Sequence, residues 1–169
     1  GVDRPVTIDQ VLPGVCREGY PGRHTIRTIR DAVLVRGRGW IEHTVVPAAS
    51  PLATISEGAA RFGVEVAFPG ADRVGFAEEV LFPLAGFAPE DAALLDAVSA
   101  TATDLFSSGA ARVARGLADG ALSREEACGI LRDVLLLAPE TAEVYLGSIE
   151  GFGAYPAAVS EGYRCVRDY

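Results

Sequence analysis

Two guanidiniums, a carboxylate, an imidazole and a phenol fall within nine residues, Arg17-Glu18-Gly19-Tyr20-Pro21-Gly22-Arg23-His24-Thr25, around a Pro-Gly turn. His24 is one of two histidines in the chain; the other, His43, lies in Glu42-His43-Thr44. Further on, Ser56-Glu57-Gly58 sets a carboxylate inside an otherwise apolar helical run. Zinc hydrolysis needs three protein ligands of the His or carboxylate kind with a water in the fourth position. A neighbouring glutamate then takes the proton of that water. Helical zinc enzymes do this with H-E-x-x-H, which puts both histidines on one face of a helix. The chain has no such motif, and Arg17 precedes Glu18 where a histidine would be wanted. His24, His43 and Glu57 together offer two imidazoles and a carboxylate, although nothing in their spacing demands that they meet. Plainer roles compete: lone histidines are commonly solvent-facing or packed, and Tyr20, Tyr155 and Tyr163 suit the edge of a core. Trp40 reads as core.

The stretch Arg17–Thr25 resembles a His-Glu-x-x-Pro-Gly-His-His motif. That motif belongs to a poorly characterised bacterial family of helical zincin-like proteins, similar in architecture to the thermostable carboxypeptidases and oligopeptidases of the gluzincin type. Further stretches resemble the same family: Leu34–Trp40 followed by Glu42; Ile55-Ser56-Glu57-Gly58-Ala59-Ala60, matching the helix that carries a third, glutamate ligand; and Tyr155–Gly162, matching a terminal helix with a Tyr and a Gly near the cleft. The resemblance implies Glu18 as general base, Tyr155 as a catalytic-cleft residue, Glu57 as a metal ligand and zinc as the ion. It also carries its own departures. Arg17 stands at the first ligand position and Arg23 directly follows Pro-Gly, so that only His24 remains of the histidine pair. A guanidinium cannot deprotonate to bind a metal. The two arginines can instead neutralise Glu18 and Glu57, which would repel each other with no ion between them.

Three functions follow as expectations. The first is a degenerate metallopeptidase-like protein in which Arg17, Arg23 and Tyr20 line a cleft for a small acidic ligand or a peptide terminus. The second is an active metal-dependent hydrolase of peptide or amide bonds, using Glu18 and Tyr155 with His24, Glu57 and His43 as the ligand set. The third is a non-catalytic helical interaction domain, which an exposed apolar face on the longest helix would support.

The elements that must position these residues are helical. Ile26, Ile29, Val33 and Leu34 share a face over residues 24–36, and Gly37 and Gly39 end that helix. Residues 5–18 form a shorter helix with Thr7 as its cap, weakened by Pro13-Gly14. Residues 39–47 are either extended or the start of another helix. Ser50-Pro51 opens a helix to about Phe68, with Leu52, Ile55, Ala59, Phe62 and Val66 along one side. Asp72 caps the next helix, with Pro83 near its end. Ala88-Pro89 opens the longest, to about Asp119. Ser123 and Glu126 form a capping box for a helix to about Leu137. Pro139 and Tyr155-Pro156 start the last two. No phosphate loop, strand series or solenoid repeat is present. The expected class is all-α, a zincin-like helical bundle forming one domain over residues 1–169.

Composition sets the remaining bounds. The 169 residues are 49% hydrophobic, enough for a core. All 15 basic residues are arginine, and the net charge is −8, which disfavours nucleic acid as a partner. No apolar run approaches the ~20 residues of a membrane span. Cys16, Cys128 and Cys165 are too few and too scattered for a disulfide framework, so buried free thiols in a cytoplasmic protein are expected. The lack of methionine and the start at Gly1 suggest the C-terminal part of a larger helical protein. The expected partners are a small-molecule or peptide ligand, a second copy, or the remainder of such a chain, with no membrane partner; the cofactor is zinc or none.

Overall fold

A computed structural model describes residues 6–47, 50–153 and 155–169, without the side chains of residues 156–159. The expected helix start at residue 5, and the side chains of Pro156–Val159 in the last resemblance stretch, lie outside the described residues. The class is all-α: helices, 3-10 turns and π-helical turns make up every regular element among the described residues. None of these helices is long and apolar enough to cross a membrane. The chain packs as two compact units, residues 1–45 with 59–101, and residues 46–58 with 102–169.

In the first unit, α1 (Ile8–Glu18) follows Thr7 and tolerates Pro13 in its interior. α2 (Arg23–Arg30) passes without a break into a π-helical turn at Asp31–Arg36. Gly39 closes it in the left-handed region, φ 72°, with its amide donating to the Val35 carbonyl at 2.9 Å. The segment left open in the sequence is a single 3-10 turn, Ile41–Thr44, followed by extended backbone at Val45. α4 (Asp72–Phe76), a π-helical turn (Ala77–Leu81) and α5 (Phe82–Ala85) are continuous and end at Gly86, φ 77°. The π turn has a cause in sequence. Pro83 offers no amide to the carbonyl four residues back and its ring crowds that carbonyl, which widens the preceding turn. Asp72 is the first residue of this helix; Ala71 occupies the cap position. Arg73 grips Asp96 through two contacts of 2.7 Å and ties α4 to the long helix α6 (Ala92–Ala118), which a 3-10 turn at Pro89–Asp91 precedes.

The second unit holds the main core. Val113, Ala114, Ala127, Leu131, Leu135, Ala142, Leu146 and Ile149 are buried against one another. They come from α6, from α7 (Arg124–Gly129) with its π-helical continuation Ile130–Val134, and from α8 (Pro139–Phe152). α9 (Tyr155–Arg167) completes the unit. The α7 helix stops at Val134, three residues before the expected end, because Leu136 takes a positive φ of 55°. α3 (Pro51–Ala67) and α6 each contribute to both units.

The buried side of α3 differs from the expected one. Ala53, Glu57, Ala60 and Val64 are buried, whereas Leu52, Ile55 and Val66 are exposed. The small residues set the choice. Gly58 meets the backbone of Gly162 on α9, and a Cβ at either glycine would overlap the opposing main chain. A Cβ at Gly63 would lie 3.2 Å from the Cys16 carbonyl and from Gly22, tighter than ordinary contact. Close backbone approach selects the glycine and alanine face over the larger aliphatic one. Trp40, expected in the core, is 43% exposed. Ile29 and Val33, expected to face the core from α2, are exposed as well.

Candidate functional site

The Pro-Gly turn between α1 and α2 brings three of the expected site residues together. The Gly22 amide donates to the Cys16 carbonyl at 2.9 Å, and a side chain on Gly22 would collide with the carbonyls of Cys16 and Arg17. The turn therefore folds back onto the last turn of α1 and places Arg23 beside Glu18. The Arg23 Nε lies 2.9 Å from Glu18 Oε2, and its Nη2 donates to Oε1 at 3.5 Å. The Arg17 Nε is 3.7 Å from Glu18 Oε1. The Tyr20–Pro21 peptide is cis, and the Tyr20 ring is exposed.

Glu18, at the position expected to hold a general base, is thus engaged by guanidiniums from both sides. A base must be within reach of a substrate or water proton and carry a free lone pair there. Arg23 pairs with this carboxylate as an ion pair with one long hydrogen bond, Nη2 to Oε1, while the Glu18 side chain stays 59% exposed. As a surface ion pair it adds only about 0–1 kcal/mol to stability. Its main effect is on what Glu18 can do.

The two imidazoles go elsewhere. His24 is exposed on the first turn of α2, where its carbonyl accepts a hydrogen bond from the Thr28 hydroxyl at 2.9 Å. His43 stacks on Trp40 with ring centroids 5.9 Å apart, and the Arg38 guanidinium lies 5.0 Å from the centroid of the same indole. An Arg-Trp-His stack on the 3-10 turn is a sufficient structural reason for His43. Glu57, 5% exposed, is buried on α3 one residue from the Gly58–Gly162 contact. Two of the stretches that carry the resemblance thereby meet at Gly58 and Gly162. Tyr155 is half-buried at the start of α9, with its ring 6.5 Å from Phe152.

Arg17 and Arg23 cannot serve as zinc ligands. The two positions next to Glu18 are guanidiniums, which have no lone pair to give. Among the described residues, no group of three or more His, Cys, Asp or Glu side chains gathers to hold an ion. The Cys16 and Cys128 thiols are not activated either. Burial pushes the Cys16 thiol up, and at Cys128 a hydrogen bond to the Glu143 carboxylate at 3.4 Å raises it, with burial and the Glu143 charge adding to the effect. A nucleophilic cysteine needs the opposite shift. Of the three cysteines only Cys16 is buried; Cys128 is half-buried and Cys165 exposed, and all are free.

Sequence reasoning did not find one polar cluster. Arg124 binds Glu143 at 2.8 Å and Glu150 at 3.0 Å, and Cys128 joins through Glu143. The arginine contact holds the Glu143 carboxyl below its usual range. No local signal marks this group, because its members lie 19 and 26 positions apart. It joins α7 to α8 and contains no group poised for proton transfer.

No protein-family model, curated protein or solved structure matches the chain.

Proposed function

We propose that the protein is a degenerate, zincin-like helical protein that works by binding, with arginines in place of the zinc ligands and Glu18 serving as their counter-ion. One observation carries this reading: Arg23 holds Glu18 at 2.9 Å, with Arg17 on the other side at 3.7 Å. In this reading the arginines stand where the resembled motif has histidines. Positive charge then replaces the ion as the group that neutralises the carboxylate.

The binding reading gives Arg17, Arg23 and Tyr20 a shared task. A small carboxylate or a peptide C-terminus would compete with Glu18 for the guanidiniums, as bidentate arginine sites do. The experiment has two arms. Elemental analysis of protein purified without a histidine tag should find far less than one zinc per chain, and added zinc should leave thermal stability unchanged; stoichiometric zinc overturns the reading. A thermal-shift screen of small carboxylates and short peptides should give stabilising hits that Arg17→Ala and Arg23→Ala both abolish. Hits indifferent to both substitutions would remove the arginines from the site.

A further inference from the structure

Two stretches of the first unit carry opposite net charge, each with large apolar side chains left in solvent. Residues 23–45, from α2 through the 3-10 turn, hold five arginines against Asp31 and Glu42, a net of +3 in a chain of net −8. Ile29, Val33, Trp40, Ile41 and Val45 are all exposed there. Residues 72–98, from α4 into α6, hold six acids against Arg73, a net of −5. Leu84, Phe87, Leu94 and Val98 are exposed on that stretch, Leu84 at 81% and Leu94 at 67%. Scattered apolar side chains on a surface need no explanation, but two runs of them set among charges of opposite sign do.

We infer that these two stretches bind each other between two copies of the chain, the basic 23–45 segment of each copy docking on the acidic 72–98 surface of its partner. Charge complementarity decides the occupant. An arm-to-arm contact would set +3 against +3, and a contact between acidic faces would set −5 against −5; both are repulsive. A reciprocal exchange pairs opposite charges twice and closes under a two-fold axis, the commonest symmetry of homo-oligomers. A polyanion or an anionic bilayer would engage the arginines alone, repel the remaining acidic surface and leave Leu84, Phe87, Leu94 and Val98 in water. A second copy accounts for both surfaces at once. Arg23, which pairs with Glu18, is not needed for it: Arg27, Arg30, Arg36 and Arg38 alone keep the segment basic.

Light scattering and sedimentation equilibrium on the whole chain test it. At about 0.02 M salt the protein should be a dimer, and at about 0.5 M its dissociation constant should rise by at least about tenfold as the pairing is screened. Two charge-reversal variants, Arg27→Glu with Arg38→Glu, and Glu79→Arg with Asp91→Arg, should each be monomeric at low salt. Mixed one to one, they should recover a dimer, because each now offers what the other lacks. A monomeric wild type at low salt overturns the inference, as does a dimer that neither reversal weakens. Wild-type binding to phosphatidylserine–phosphatidylcholine vesicles that Arg27→Glu with Arg38→Glu abolishes, in a chain that stays monomeric, reassigns the arm to a bilayer. If circular dichroism shows either variant misfolded, the salt dependence of the wild-type dimer alone decides.

Discussion

Gly22 shows how a residue can read as a site motif and act as a packing device. Its place after Pro21 marks a turn in any sequence. The space around it adds a stronger demand, since a Cβ would overlap the carbonyls of Cys16 and Arg17, and main chain cannot swing aside as a flexible side chain can. Gly22→Ala should therefore cost about 1–3 kcal/mol, the usual range for overpacking. It should also loosen the pairing of Arg23 with Glu18. Gly14 is the control. It sits inside α1 with nothing within 4 Å of the place a Cβ would take, so Gly14→Ala should stabilise by about 0.5–1 kcal/mol through helix propensity alone. Urea unfolding of the two variants checks the opposite signs; equal effects would remove the steric argument. Arg17 and Arg23 stood out only against the motif that the stretch resembles. That their guanidiniums both face Glu18 was not legible, because it depends on how tightly the turn folds back on α1.

Helix ends were more legible than helix faces. Ser50-Pro51 starts α3 as expected, with the Ser50 hydroxyl accepting from the Ala53 amide at 3.1 Å. Ser123 and Glu126 form the expected capping box, each side chain satisfying the other's backbone amide. Caps are local chemistry, so a few residues suffice to specify them. Ser123→Ala should destabilise the second unit by about 1 kcal/mol at neutral pH. The box also titrates. The hydrogen bond from the Ser123 backbone amide, with that from its hydroxyl, holds the Glu126 carboxyl below its ordinary value. A depressed folded-state pKa gives stability that is present above the unfolded value and lost as pH falls through the folded one. The variant keeps the backbone amide, so the gap between wild type and Ser123→Ala should narrow below about pH 4.3, the ordinary glutamate range, only by the hydroxyl's share. Thermal melts over pH 3 to 7 measure it, and a constant gap would exclude the box as the cause. Faces failed where hydrophobicity was the guide. On α3 Leu52, Ile55 and Val66 face water while Ala53, Glu57, Ala60 and Val64 are buried, with close backbone approach at Gly58. The three π-helical turns shift register within α2 to Arg36, α4 to α5 and α7 to Val134, which a fixed period of 3.6 cannot anticipate.

The two units differ in what they bury, and that sets where the chain should open first. Val113, Leu131 and Leu146 are the largest fully buried side chains, and all three lie in the second unit's core. In the first unit the buried hydrophobic set among the described residues is Cys16, Ala60, Val64, Phe82 and Ala92, mostly small groups that exclude little apolar area from water. Burial contributes about 25 cal/mol for each Å² of apolar surface removed, so the second unit has the larger driving force. Local opening free energies follow burial and contact density, and segments with exposed apolar faces sit at the low end. Native-state hydrogen exchange should therefore find its slowest amides in the C-terminal half of α6, in α7 and in α8. Residues 23–45 should exchange fastest among the helical segments. Leu131→Ala should cost about 2–5 kcal/mol and accelerate exchange across the second unit while leaving residues 23–45 little changed. Uniform protection along the chain, or acceleration spread evenly by Leu131→Ala, would show instead that α3 and α6, which contribute to both units, couple them into one cooperative block. The same measurement at low and high salt bears on the proposed dimer. Docking on a partner's acidic surface should slow exchange in residues 23–45 at low salt, and screening should restore the fast rate, since a segment with little burial of its own gains protection only from what covers it.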